Sequence, residues 1–301
     1  MEDDSQKPTP LYANVQDAAR IYLLPNFFTA GNMFCGFMSL CTCIKAKFAT
    51  PESIATPESI VAANELYMIA VLYIFGACVF DLFDGRVART FKKTSMFGAE
   101  FDSIADTVSF GVAPAFLVYF LIFDPARVGN EFLSEIVEKV GPAGGFIYLL
   151  CAGIRLAKFN VLTNPLIPGN DKKSPASDFM GISSPIAAAI VASFVVLLTS
   201  LDPEGSRDYL PFVLLPIMVV VSIMMVTNIP YPTFKHIDWT TKTKAQAFIV
   251  VVLAALLLIV SWKIAVPVLL CAYVLYGLVR AAVRKFKKAP LDENGAVEET
   301  F

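Results

Sequence analysis

Between residues 81 and 106 the chain reads DLFDGRVARTFKKTSMFGAEFDSIAD. Four aspartates, Asp81, Asp84, Asp102 and Asp106, stand there beside two long apolar runs. Carboxylates near bilayer depth cost free energy that only solvation or function can offset. Their spacing is helical. Asp81, Asp84 and Ala88 fall at i, i+3, i+7 on one face, and Gly98, Asp102 and Asp106 at i, i+4, i+8 on another. With no histidine or cysteine among them, the set suits a hard cation, Mg²⁺ or Mn²⁺, rather than zinc. Four carboxylates on two helix ends can hold two ions about 3.5–4 Å apart, which would orient a pyrophosphate and neutralise a leaving phosphate. Gly85, Ala88 and Gly98 leave room for a nucleotide against the backbone. Arg89 can pair with a phosphate oxygen. The bland alternative is a solvated acidic helix end beside an Arg/Lys loop. It suits one aspartate better than four at helical spacing.

The elements that must carry these residues are membrane spans. The 301 residues are 56% hydrophobic and 17% charged, more apolar than a soluble domain. Stretches of about 20 apolar residues recur. They predict an all-α, polytopic membrane bundle of about eight spans: 23–44, 62–83, 101–123, 144–159, 184–201, 210–227, 245–260 and 264–283. The second delivers Asp81 and Asp84 at its end, and the third begins with Asp102 and Asp106. Ser261-Trp262-Lys263 reads as a tight turn. Residues 1–22 form a polar N-terminal segment without the basic and apolar regions of a secretory signal. The membrane domain covers 23–285, and 286–301 is a polar tail. The hexapeptide ATPESI occurs twice in tandem, at 49–54 and 55–60, and reads as a tolerated loop insertion. The six cysteines lie in or beside apolar runs without zinc or redox spacing, as buried thiols.

Charge distribution predicts orientation. Arg86, Arg89, Lys92 and Lys93, then Lys172 and Lys173, then Lys235, Lys242 and Lys244, then the basic run 284–288 all fall on one side of an eight-span chain. The opposite loops are acid-biased, with 45–61 a mild exception. Both termini and the aspartates are therefore predicted cytoplasmic. The basic residues are spread over these loops and offer no nucleic-acid surface.

The pattern Asp81-x2-Asp84-Gly85-x2-Ala88-Arg89-x8-Gly98-x3-Asp102-x3-Asp106 resembles the signature of the CDP-alcohol phosphatidyltransferases. That resemblance implies Mg²⁺- or Mn²⁺-dependent displacement of CMP from a CDP-linked lipid by an alcohol. It implies metal binding by Asp81, Asp84, Asp102 and Asp106, with Asp106 also the general base. It places Gly85, Ala88 and Gly98 against the nucleotide, and implies a homodimer.

Four further segments, LLPNFFTAGNMFCGFMSL (23–40), RLAKFN (155–160), DFMGISSPIAAA (178–189) and NIPYPTFK (228–235), are similar to the membrane-spanning phosphatidylserine synthases within that family. The implied substrates are CDP-diacylglycerol, entering from the leaflet, and serine. Asn26, Thr29 and Asn32 become candidate contacts to CDP. Relatives that accept glycerol phosphate tend to carry Arg where Asn32 stands, and its absence fits an acceptor without phosphate. Serine's carboxylate needs a cation. Arg155 is the candidate, with a snorkelling helix-end arginine as the equal alternative. Asn160, Ser183 and Ser184 either line the pocket or bond helix backbone. Lys158 reads as snorkelling, Lys235 as marking the inside, His236 as solvated, and Tyr231 and Trp239 as interfacial aromatics. Two other readings stay open: a family member using glycerol phosphate or an inositol phosphate, and a multispan transporter with an intramembrane ion site.

Overall fold

The computed structural model describes residues 23–49, 56–91, 96–122, 131–163, 181–201, 209–227, 229 and 245–288, with backbone only at 24–25, 88–91, 131–134, 136, 163, 245–260 and 284–288. Every regular element among them is helical. In chain order these are α1 (Leu23–Ala49), α2 (Pro57–Phe91), α3 (Met96–Asp106), a π-helical turn (Thr107–Val112), α4 (Ala113–Ile122), α5 (Glu131–Thr163), α6 (Ser184–Leu201), α7 (Leu210–Val226) and α8 (Ala245–Lys288). α3, the π turn and α4 form one rod. Six stretches are long and apolar enough to cross a membrane: Asn26–Ala49, Pro57–Val87, Met96–Ile122, Val137–Leu162, Ser184–Leu201 and Ser261–Val283. The chain is an integral membrane protein. α7 is equally apolar, but its 17 residues span about 26 Å at 1.5 Å per residue. The other expected span, 245–260, is helical in backbone and joins the last at Ser261, whose φ/ψ of −150°/60° breaks the helix inside the expected turn.

The polarity is that of a protein solvated by lipid. Phe34, Phe37, Leu72, Phe146, Phe212 and Leu275 all lie exposed. Backbone groups in hydrocarbon must find partners internally, which leaves a helix as the only open choice for a single span. The buried interior mixes large side chains (Tyr67, Ile74, Phe110, Leu117, Leu214, Met218) with many alanines. Small residues let helices approach closely where no hydrophobic force separates protein from solvent.

α1 and α2 form the most extensive helix pair, and α1 also packs on α3, the π turn and α4. The α2 seam is a heptad pattern. Ile60, Tyr67 and Ile74 are buried at seven-residue spacing, and so are Ala63, Ala70 and Ala77. Continuing both rows by seven reaches Asp81 and Asp84. The two aspartates therefore inherit the inward aim of an apolar seam.

Both ends of α2 depart from the sequence expectation. A charged connection was expected over 85–100, but the helix continues through Phe91. Gly85 through Arg89 thus lie on α2, and only residues 92–95 separate it from α3. At the other end, the second ATPESI copy starts the helix rather than sitting in a loop. Thr56 Oγ1 accepts from the Ser59 amide at 3.2 Å, and Ser59 Oγ accepts from the Thr56 amide at 3.1 Å. This is a reciprocal capping box with Pro57 at the first helical position.

Candidate functional site

α1 presents a polar stripe to its neighbours. Thr29, Asn32, Gly36 and Ser39 recur at i, i+3, i+7, i+10 and are all buried. Polar groups on a buried helix face need partners, and the α1 stripe finds them in the aspartates. Thr29 Oγ1 donates to Asp84 Oδ2. Asn32 Nδ2 donates to Asp106 Oδ1 at 2.9 Å. The backbone carbonyl of Asn32 accepts from Ser109 Oγ at 2.9 Å, which fixes α1 to the π turn directly after Asp106.

Asp81, Asp102 and Asp106 converge, each offering a carboxylate oxygen within 4.8 Å of the other two. Asp84 stands beside Asp102 but outside this trio. Asp84 and Asp106 are each 8% exposed. Two ionised carboxylates 4.8 Å apart repel by roughly 3 kcal/mol at an effective dielectric of 20. Three such pairs are not tolerable without a compensating cation or retained protons. Asp102 Oδ1 is moreover buried with no hydrogen-bond partner among the described residues. An all-oxygen trio with an orphaned buried acceptor fits a hard divalent cation.

Arg155, on α5, brings a positive charge to the trio. Its guanidinium interacts electrostatically with Asp81 and Asp106. Nη1 donates to Ser184 Oγ at 2.7 Å, and Nε is buried without a partner among the described residues. Ser184 begins α6, and the bend before it, residues 181–183, is pinned to the end of α7 and to Ile229 just beyond it. The Gly181 amide donates to Ile229 O at 3.0 Å and the Ile182 amide to Met224 O at 3.1 Å. Gly181 has φ +83°, and a Cβ there would meet Met225 O at 2.4 Å, so this turn requires glycine. One turn beyond Arg155, Asn160 Nδ2 donates to Ser103 Oγ at 2.8 Å, tying α5 to the face of α3 between Asp102 and Asp106.

The structure thus gathers Asp81, Asp102, Asp106, Arg155 and Asn32 in one place, with Asp84 and Thr29 adjoining. Asn26 is half-buried on the same stripe, and its Nδ2 has no partner among the described residues. Gly85 is exposed and Gly98 half-buried. Ala88 and Arg89 lie on the last turn of α2 in backbone, and their side chains lie outside the described residues, as do Lys92, Lys93, Lys172, Lys173, Tyr231, Lys235, His236, Trp239, Lys242 and Lys244. Of the three α1 residues expected at a nucleotide, Thr29 and Asn32 each donate to an aspartate.

Several contributors were not legible beforehand. Ser103 and Ser109 carry no sequence signal that sets them apart from other helix serines. The π turn carries no residue signature of its own, but Pro114 was a usable signal. It lacks an N–H, so the Phe110 carbonyl four residues upstream loses its α-helical donor. Tyr148, fully buried on α5, supplies one: Oη donates to Phe110 O at 3.0 Å.

The family model for CDP-alcohol phosphatidyltransferase matches residues 22–226. A CDP-diacylglycerol–serine O-phosphatidyltransferase of Helicobacter pylori is 33% identical over 261 residues, 86% of this chain and 91% of its own length. One from Methanocaldococcus jannaschii is 30% identical over 208 residues, 69% of this chain and 81% of its own. An archaetidylserine synthase of Methanothermobacter thermautotrophicus is 36% identical over 173 residues, 57% of this chain and 58% of its own.

Proposed function

Because the chain belongs to the CDP-alcohol phosphatidyltransferase family, we propose that this enzyme transfers the phosphatidyl group of CDP-diacylglycerol to the hydroxyl of serine and releases CMP. The observation that carries the reading is the convergence of Asp81, Asp102 and Asp106 beside Arg155. The names of the relatives point to the serine acceptor.

The residues divide the work as follows. Asp81, Asp102 and Asp106, with Asp84 adjoining, would hold Mg²⁺ or Mn²⁺, and a pair of ions is the number the four carboxylates suit. Bound there, the cation supplies positive charge to the pyrophosphate and to departing CMP. Asp106 takes the proton from the serine hydroxyl as the serine oxygen–phosphorus bond forms and the bond from phosphorus to CMP breaks. Asn32 fixes the direction of the Asp106 carboxylate by donating to its other oxygen. Thr29 does the same for Asp84. By the family resemblance, Gly85, Ala88 and Gly98 leave room for the nucleotide, Asn26 contacts CDP, and Arg89 pairs with a phosphate oxygen. Arg155 holds the serine carboxylate, using the Nε proton that has no partner among the described residues, while Ser184 keeps the guanidinium in place. The distribution of basic residues supports a cytoplasmic site and cytoplasmic termini, and the resemblance supports a homodimer.

The test supplies purified protein with CDP-diacylglycerol, Mn²⁺ or Mg²⁺, and labelled serine, glycerol phosphate or inositol phosphate in parallel. Labelled phosphatidylserine with stoichiometric CMP is expected. Labelled product from a phosphorylated acceptor alone would overturn the serine assignment. Solute flux across proteoliposomes without CMP would favour a transporter. A second expectation concerns Arg155→Gln. It removes one charge-assisted contact to the acceptor, worth about 1.5–3 kcal/mol. The KM for serine should therefore rise on the order of tenfold to a hundredfold, with the KM for CDP-diacylglycerol little changed. An equal rise in both would assign Arg155 to the pyrophosphate instead.

A further inference from the structure

The π turn Thr107–Val112 follows Asp106 without a break. A π turn inserts one extra residue into the helix, so it rotates everything on one side by about 100° relative to the other. Without it, Asp106 and the buried face of α4 could not both face α1. What holds the turn in its wider form is visible. The Ala113 amide reaches back five residues to Val108 O. Pro114 has no N–H to restore the α-helical bond to Phe110 O. Tyr148 Oη takes that carbonyl from α5 at 3.0 Å. Ser109 Oγ bonds the Asn32 carbonyl at 2.9 Å, and the same Asn32 donates to Asp106. The turn is therefore tied on one side to the helix of Arg155 and on the other to the residue that orients Asp106.

We propose that Tyr148 is a positioning residue for the transfer reaction, holding the π turn open so that Asp106 points at the acceptor hydroxyl. It rests on the reading of Asp106 as the base. Tyr148 touches neither substrate nor carboxylate; it acts through Phe110 and the turn. In Tyr148→Phe the Phe110 carbonyl is left without its donor in the membrane interior, and the turn loses its tie to α5. In the double variant Tyr148→Phe/Pro114→Ala a backbone N–H returns at 114, so the carbonyl regains a partner by closing to α-helix. That closure rotates Asp106 away from its present aim.

The two roles, stability and positioning, separate in this pair. Tyr148→Phe should lower kcat on the order of a hundredfold, the effect of a misplacement near 1 Å, with KM for both substrates within about twofold. The double variant should recover melting temperature in detergent but not kcat. Recovery of both would make Tyr148 a purely structural residue and overturn the proposal, as would unchanged kcat in folded Tyr148→Phe. Two readouts do not need turnover. The carbonyl ¹³C shift of labelled Phe110 should move in Tyr148→Phe and return in the double variant. Mn²⁺ affinity, followed by electron paramagnetic resonance of the free ion, should fall in both variants, because Asp106 belongs to the trio. If wild type shows no transfer to any acceptor, the reaction assigned above fails. The Mn²⁺ series then decides the positioning role: affinity equal to wild type in the double variant overturns it.

Discussion

Asp106→Asn is expected to lower turnover by about 10² to 10⁴, the usual worth of a positioned general base, while nucleotide binding survives. The substitution is nearly isosteric, so it leaves the seam and the π turn as they are. The Asn32 amide still finds an oxygen at position 106 to donate to, in place of Asp106 Oδ1 at 2.9 Å. What disappears is a proton acceptor and one negative charge of the trio. Asp81 and Asp102 remain, with Asp84 beside them, so affinity for CMP in the presence of Mn²⁺ should fall far less than kcat. The measurement is paired: CMP release under saturating substrates, and CMP binding by calorimetry in the same detergent. Near-normal turnover would remove Asp106 from the base role. An equal loss of binding and turnover would leave it a ligand only.

The second large effect lies away from any carboxylate. Gly36 on α1 faces the π turn so closely that a Cβ would stand 2.4 Å from Ser109 Oγ and 2.7 Å from Ser109 Cα. The hydroxyl could rotate, but a backbone atom cannot give way cheaply. Gly36→Ala should therefore force α1 off the turn, at an overpacking cost of about 1–3 kcal/mol. It should also loosen the Ser109–Asn32 bond that reaches Asp106. Gly153 is the internal control, since a Cβ there meets nothing within 4 Å. Gly153→Ala should stabilise its helix by up to about 1 kcal/mol through propensity alone. Thermal unfolding of the two variants in one detergent should thus move in opposite directions. A Gly36→Ala melting temperature at or above wild type would show that α1 and the π turn are not in backbone contact.

The contrast between these positions shows what the sequence could reveal. The membrane bundle and the pairing of two aspartates per helix end were legible because both depend on periodicity alone. Asp81 and Asp84 sit at the end of the rows Ile60–Tyr67–Ile74 and Ala63–Ala70–Ala77, so their inward aim is written in seven-residue spacing. Span ends were less legible. α2 runs on through Gly85 and Arg86 because no residue before Phe91 breaks a helix strongly enough to stop it, and charge alone does not. The partners of the aspartates were beyond reach for a different reason. Thr29 and Asn32 were recognised as belonging to the site, but whether a hydroxyl or amide meets a ligand or a neighbouring carboxylate depends on helix distance and rotation. That rotation is set by an extra residue in the π turn, which local composition marks only through Pro114. Likewise Arg155 carried two equal readings, because its contacts to Ser184 on one side and the trio on the other depend on how separate helices pack.

The capped start of α2 has a practical corollary. α1 carries Thr29 and Asn32 at its first turns, so its other end and the start of α2 lie at the far face of the membrane from the aspartates. There Thr56 and Ser59, in the second of two identical hexapeptides, already complete the cap. The cap lies wholly within the second copy, which makes the first, at 49–54, a seat for an epitope or a fluorophore. A label placed there would report, from intact cells, which compartment that face looks into, and so fix the sidedness of the reaction without touching any residue that performs it.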